Sequence, residues 1–222
     1  MPRIFKRDQT LYDQGQPVDT VYLLEDGVCS TVVAMEDGST IQVGIVGCDG
    51  FVGLSAILGT GHSLGRSFIA IAGNGYAVKA KVLAEQSQDG SGQLLLALQR
   101  GVQGQLAQTA QTAACNRVHE LQERLARWLL TCHDLLQTDD LPITQESLAM
   151  LLGARRSSVT VAAGMLQKAG LIDHSRGRVR IEDRKGLEKA SCECYSVIHC
   201  EYMRLGLFQG PQRLQGLVSG RS

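Results

Sequence analysis

The sequence predicts an α+β protein in three sections: an N-terminal region of short strands, one long helix, and a C-terminal winged helix-turn-helix. Three observations carry that prediction. Turn dipeptides at Asp26-Gly27, Asp37-Gly38 and Asp49-Gly50 recur 11 and 12 residues apart with β-branched runs between them, the rhythm of short strands joined by tight turns. From Gln93 to about Val118 apolar residues return every three or four positions, which is the helical period. Between Ile143 and Ile181 a helix, a glycine turn, a hydroxyl-rich helix and a basic hairpin follow one another.

The bulk properties are those of a folded domain or two. The chain has 222 residues, 44% hydrophobic and 20% charged, with 22 basic residues balancing 22 acidic ones. Total charge therefore says nothing about nucleic acid, but its distribution does. Residues 1–100 hold seven Lys/Arg against ten Asp/Glu, whereas residues 153–180 hold six Lys/Arg against Asp173 alone. A local basic patch suffices to meet phosphate, because fields are short-ranged in salt. Met1 to Thr10 is polar, so neither a signal peptide nor a membrane span is expected there. No later stretch offers the ~18 apolar residues of a membrane helix. The seven scattered cysteines suggest a reduced, cytoplasmic protein rather than a disulfide scaffold.

In the first section, Ser30-Thr31-Val32-Val33 and the alternating Ile41, Val43 and Ile45 read as strands. Phe68–Ala72 and Tyr76–Val82 flank Asn74-Gly75, which predicts a two-residue hairpin. The expected architecture is a sandwich or small barrel. In the second section the stripe Leu95, Leu98, Val102, Leu106, Thr109 and Ala113 marks one helix, ~39 Å long at ~1.5 Å per residue. That is too long to be covered by one small barrel, and the Ala and Thr of the stripe admit a close partner backbone. A symmetric homodimer is expected; the alternative is a helix lying over its own barrel. A further helix carries Val118, Leu121, Leu125, Trp128 and Leu129 and ends near Leu136.

The third section is the most informative. Thr144 is a suitable N-cap for a helix through Ser147–Leu152, and Gly153 supplies the positive φ of a tight turn. A second helix from about Ser157 to Ala169 turns Val159, Ala162, Ala163 and Leu166 inwards. This is the pattern of a DNA-reading unit whose second helix enters the major groove. Its first turn presents Arg155, Arg156, Ser157, Ser158 and Thr160; arginine suits bidentate contact with guanine, and hydroxyls serve bases or phosphates. His174-Ser175-Arg176-Gly177-Arg178 then forms the tip of a basic hairpin, a wing whose Arg176 and Arg178 would lie along phosphates.

Taken together the arrangement resembles the Crp/Fnr superfamily over roughly residues 10–184. The motifs that carry the resemblance are Ile143-Thr144-Gln145-Glu146, Gly153-Ala154-Arg155-Arg156-Ser157-Ser158-Val159, and in the first section Gly15, Gly27, Gly38 and Asp49-Gly50-Phe51-Val52-Gly53. The resemblance implies an N-terminal double-stranded β-helix (β-roll, jelly roll) of cyclic-nucleotide-binding type at residues 1–91 and a dimerisation helix and hinge at 92–136. It implies a winged helix-turn-helix at 137–184, leaving 185–222 as a helical extension and flexible tail. It places Arg156 at the guanine-contacting position, Thr144 and Gln145 at the DNA backbone, and Ser157 where many members carry a glutamate, so a different target sequence is implied.

For the sensor, the resemblance implies an effector site at Gly53, Leu54, Ser55, Arg66, Ser67 and Thr109. Arg66-Ser67 would hold a phosphate, and Thr109 would offer its hydroxyl to a base, with Ala110 at the neighbouring partner-facing position. Gly53-Leu54-Ser55 lacks the glutamate that cyclic-AMP-binding members use for the ribose, a loss worth roughly 1.5–3 kcal/mol. Another nucleotide, such as a cyclic mono- or dinucleotide, is then the expected effector; an unliganded roll, with Arg66 in a structural ion pair, is the alternative. The expected partners are a palindromic double-stranded operator, a second copy of the chain and RNA polymerase, with no membrane partner.

Two other readings stay open. Cys192, Cys194 and Cys200 form a cluster that would suit a redox or metal sensor. Three ligands without a fourth, on a segment read as one helix from Leu187 to Leu207, argue against a metal there, and no metal site is expected. The chain would alternatively be a nucleotide-binding signalling module that meets protein rather than DNA. No phosphate loop, zinc-protease motif or nucleophile arrangement is present, so no enzyme is expected. Phe208–Ser222, rich in Gly and Gln, is expected to be disordered.

Overall fold

A computed structural model describes residues 1–89 and 92–207. Seven strands form two antiparallel sheets at the N-terminus. β1 (Pro2–Phe5), β7 (Gly73–Lys79) and β3 (Thr20–Leu24) lie in that order in one; β2 (Thr10–Tyr12), β6 (Arg66–Ile71), β4 (Val28–Ala34) and β5 (Thr40–Val46) make the other. Their inner faces enclose Phe5, Tyr12, Val18, Leu24, Cys29, Val46, Val52 and Ile69. The alternating Ile41, Val43 and Ile45 all fall in β5, which pairs with β4. A short helix, α1 (Leu54–Ile57), lies between β5 and β6, and α2 (Ala80–Asp89) follows β7.

The expected hairpin at Asn74-Gly75 does not form. Both residues lie inside β7, where Asn74 is opposite Ile4 and Gly75 is opposite Arg3 and Leu24. β6 and β7 are not paired; the chain leaves one sheet and enters the other between them. The glycine has a different reason to be there. A Cβ at Gly75 would run into the Leu23 carbonyl oxygen, and one at Gly73 into the Asp26 backbone and carboxylate. The Asp26 carboxylate also accepts the Asn74 backbone N–H. The expected strand through Val82 stops at Lys79, and α2 begins there.

α3 (Gln93–Val118) takes the bounds its periodicity predicts. Its stripe divides: Leu98 and Val102 turn to the roll, while Leu95, Leu106, Thr109 and Ala113 remain exposed. Polar side chains fasten it to the roll. Gln105 Nε2 donates to the Phe51 carbonyl at 2.7 Å, Gln108 Oε1 accepts from Ile45 N–H at 2.7 Å, and Thr109 Oγ1 donates to the Val43 carbonyl at 3.1 Å.

α3 ends at His119, and Glu120 with Glu123 builds a capping box that opens α4 (Leu121–Leu136). Beyond α4 come β8 (Asp140–Leu141), α5 (Gln145–Leu152), α6 (Arg156–Lys168), the hairpin β9 (Ile172–Ser175) and β10 (Arg178–Ile181), then α7 (Arg184–Ala190) and α8 (Cys194–Leu205). Val159, Ala162, Ala163 and Leu166 are buried in α6, as their spacing predicts. The C-terminal extension forms two helices rather than one, with Ser191 to Glu193 between them, and the expected disordered tail at 208–222 lies outside the described residues. α8 packs along α3, its Tyr202 and the following Leu207 seated over Gly104, where a Cβ would come 2.7 Å from Leu207. Among the described residues no helix is long and apolar enough to cross a membrane.

Asp49, in the turn after β5, is buried and accepts the Gly47 N–H at 3.0 Å. Burial raises its carboxyl to about 6, and the Asp134 carboxylate adds to the rise. The folded carboxyl thus holds its proton more tightly than the unfolded one, so its contribution to stability is lost as pH rises from about 4 to about 6. Asp49→Asn keeps an acceptor for Gly47 and should stabilise the protein by up to ~3 kcal/mol above about pH 6, with the gain vanishing towards about pH 4. Thermal unfolding across that range checks this; a gain independent of pH would refute it.

Candidate nucleic-acid interface and sensor cavity

The reading head is built by short-range rules. Thr144 caps α5 by accepting the Ser147 N–H at 3.1 Å, and Gly153 takes φ 58° at the turn. Arg155 caps α6, so Arg155, Arg156, Ser157, Ser158 and Thr160 lie on its exposed first turns. The Arg155 and Arg156 side chains make no hydrogen bond or ion pair among the described residues, so their donors face solvent. Thr160 is already engaged: its Oγ1 donates to Gln145 Oε1 at 2.9 Å and sits 3.0 Å from the Arg156 carbonyl. That bond ties α6 to the start of α5 and orients Gln145.

The wing is the β9–β10 hairpin, with Arg176 exposed beside Gly177 at its tip. Arg178 stands 3.5 Å from the Asp140 carboxylate of β8, which Arg180 approaches at 3.9 Å. The tip arginine is thus the unpaired one, and Arg178 is partly neutralised.

One contact escapes any local reading of the sequence. Arg7, after β1, reaches across to the head: its Nη2 donates to Ser147 Oγ at 3.1 Å and lies 3.4 Å from Thr144 Oγ1. A Cβ at Gly153 would come 2.7 Å from Ile41 of β5. The turn and first helix of the reading head therefore rest against the roll, while the first turns of α6 stay open.

The roll holds a cavity of about 240 Å³ whose wall includes Gly53, Leu54, Ser55, Ser67 and Thr109. Phe51, Val46, Gln105 and Leu106 complete much of the rest, and among the described residues no Arg, Lys or His lines it. Arg66 is placed elsewhere. Successive strand residues point to opposite faces, so Ser67 turns inwards, bonded to Thr31 at 2.8 Å, and Arg66 turns outwards. Arg66 donates to Thr10 Oγ1 at 3.0 Å, pairs with Asp13 at 3.7 Å and lies over the Phe68 ring. The expected Arg66-Ser67 phosphate pair is not assembled; only its hydroxyl reaches the cavity.

The cysteine segment also departs from expectation. Cys192 precedes α8 and Cys194 begins it, so the two thiols converge, whereas Cys200 is exposed on α8 and does not join them. They meet Cys115 and His119 from the end of α3, residues too far away in sequence for spacing to have found. Cys115 and Cys192 share a thiol hydrogen bond at 3.6 Å, which above all lowers the Cys115 thiol and raises Cys192.

Comparison with known proteins agrees with this architecture. Residues 2–75 match the cyclic nucleotide-binding domain family, and residues 123–190 match the Crp-like helix-turn-helix domain. The chain is 24% identical over 187 residues to the global nitrogen regulator of Nostoc sp., covering 80% of this chain and 83% of that protein. It is 26% identical over 197 residues to the transcriptional regulator LdrP of Thermus thermophilus, covering 83% and 94%. The solved structure of FixK2 from Bradyrhizobium japonicum superposes with a TM-score of 0.74 at 16% identity, covering 86% of this chain and 97% of FixK2. With a cyclic nucleotide-binding domain, a long connecting helix and a Crp-like reading head in one chain, the protein belongs to the Crp/Fnr family of transcription regulators.

Proposed function

We propose that this regulator works as a homodimer that reads a palindromic operator and adjusts its grip when a small effector fills the cavity of the roll. The division of labour is residues 1–91 for sensing, 92–136 for dimerisation and hinge, 137–184 for reading DNA, and 185–222 as an extension. The observation that carries the reading is the open first turn of α6, where Arg155 and Arg156 project with no partner among the described residues, as does Arg176 of the wing. Arg156 would contact guanine, Ser157, Ser158 and Thr160 the neighbouring bases or phosphates, Thr144 and Gln145 the backbone, and Arg176 and Arg178 the phosphates along the wing. Two such heads ~34 Å apart fit successive turns of the major groove.

Dimerisation is assigned to the face of α3 that neither the roll nor α8 covers, with Leu106, Ala110 and Ala113 exposed along it. The effector contacts are Gly53, Leu54, Ser55, Ser67 and Thr109. The cavity wall pairs no phosphate charge, since Arg66 is spent on Asp13 and Thr10. This favours an uncharged effector over a cyclic mono- or dinucleotide. Binding would act by preferring one of two arrangements of α3 against the reading head, and the Arg7 contact to Ser147 is one that a moving head must break.

Three measurements test this reading. Arg156→Ala should lose ~1–3 kcal/mol at one base position of a selected operator, measured by binding to a panel of single-base variants; equal loss on every sequence would leave it only a phosphate contact. Glutamates at Ala110 and Ala113 should turn the dimer into monomer in sedimentation, and an unchanged mass would move the interface off α3. Calorimetry with cyclic AMP, cyclic GMP and cyclic di-GMP should show no saturable heat, and a saturable heat lost in Arg66→Ala would restore the phosphate site.

A further inference from the structure

We propose that Cys115, His119, Cys192 and Cys194 form a closed tetrahedral site for zinc(II) at the joint between the long helix and the reading head. Cys115 and His119 stand one turn apart at the end of α3, so they share a face; Cys192 and Cys194 approach from the α7–α8 junction. Their four donor atoms all lie within 4.8 Å of one another.

The distances suit one ion. Cys115 Sγ is 3.6 Å from Cys192 Sγ, and Cys194 Sγ is 3.5 Å from His119 Nδ1. A tetrahedral zinc with Zn–S ~2.3 Å and Zn–N ~2.0 Å sets thiolates ~3.8 Å apart and a thiolate ~3.5 Å from an imidazole nitrogen. An iron–sulfur cluster interposes its own atoms between the thiolates and needs them farther apart. The three cysteines are buried and His119 is largely so, leaving no open position for substrate, which is the structural type of zinc site.

The surroundings are arranged for such an ion. His119 Nε2 faces the Glu193 carboxylate at 3.0 Å, which fixes the ring and leaves Nδ1 towards the thiols; metal-bound histidines are held by carboxylates in this way. Gln111 Nε2 donates to Cys194 Sγ at 3.1 Å. Three thiolates around a divalent ion leave one net negative charge, and the thiol protons pass to solvent on binding. Arg127 is buried beside the site, its Nε without a hydrogen-bond partner, and Arg124 lies near Cys115 and Cys192. An anionic metal centre gives that buried guanidinium a counter-charge.

The ion would join the end of α3 to the start of α8, one residue from the capping box at Glu120 where α4 begins. It therefore fixes how the C-terminal extension, packed on α3, meets the reading head. This inference does not depend on the effector or the operator, because metal is counted without either.

The test is metal analysis of the full-length protein purified under reducing conditions, with cobalt(II) as a spectroscopic substitute. One zinc per chain is expected, kept by Cys200→Ser and lost from Cys192→Ser and His119→Gln. The cobalt form should show thiolate charge-transfer and intense tetrahedral bands. Glu193→Gln keeps all four ligands and should weaken metal affinity roughly 10–100-fold, so the site remains testable if a ligand variant fails to fold. A metal-free protein, a zinc content unchanged in Cys192→Ser, an octahedral cobalt spectrum, or a Cys115–Cys192 disulfide recovered in place of metal would each overturn the proposal.

Discussion

The C-terminal half of the molecule hangs from α4, and α4 is held because it is buried on nearly every side. Leu125, Ala126, Trp128, Leu129, Leu130, Cys132 and Leu135 are all buried along its 16 residues. A helix buried all round needs partners on opposite faces. One partner is the roll, where Leu135 presses on Gly47 and its carbonyl takes the Cys48 thiol at 3.4 Å. The other is the reading head, whose Leu148, Val159, Leu166 and Val179 share the same core cluster, joined by Leu187 of the extension. Burying a Leu-sized side chain is worth about 1.5–3 kcal/mol, so a shared core of this size resists any motion that would split it.

One buried carboxylate on α4 sets the polar order of the extension. Asp134 is buried on α4, and an unpaired carboxylate there would be costly. It is met by Arg184 Nη2 at 2.7 Å from α7 and by the Tyr195 hydroxyl at 2.8 Å from α8. The two helices of the extension are thus fastened to α4 through one carboxylate, by bonds whose geometry is stricter than apolar contact. The same fastening brings Cys192 and Cys194, which lie between those two anchors, up to the end of α3.

What could be read in the sequence divides along the reach of each interaction. The helices were legible because their period is local, and α3 and the inward set of α6 follow from spacing alone. The reading head was legible for the same reason: cap, turn glycine and exposed arginines are set within a few residues of one another. Asn74-Gly75 misled because glycine serves both a tight turn and a strand crowded by its neighbour, and the Leu23 carbonyl that decides between them lies 52 residues before Gly75. Arg66-Ser67 divided because β6 turns Ser67 to the cavity and Arg66 to the opposite face, where Thr10 and Asp13 meet it. Cys115 and His119 could not have been joined to Cys192 and Cys194 by spacing, because separations of 77 and 75 residues carry no pattern.

The position of the cavity explains how a ligand there would matter to DNA under the reading proposed above. Its wall takes Val43, Gly44 and Val46 from β5 and Gln105, Leu106 and Thr109 from α3. β5 also carries Ile41, which packs on the Gly153 turn of the reading head, and α3 carries both the uncovered face proposed for dimerisation and two of the four donor atoms at the joint. A ligand gains leverage only if it binds one arrangement of these elements better than another. The head shares its buried core with α4 and with Val28, Val32, Ile45 and Phe68 of the roll, and Ile41 and Arg7 add contacts at the Gly153 turn and Ser147. The break between α3 and α4 falls at His119 and Glu120, outside that core. Under that reading a change in how α3 meets the head would bend the chain there, at the joint to which a bound ion would add a second constraint.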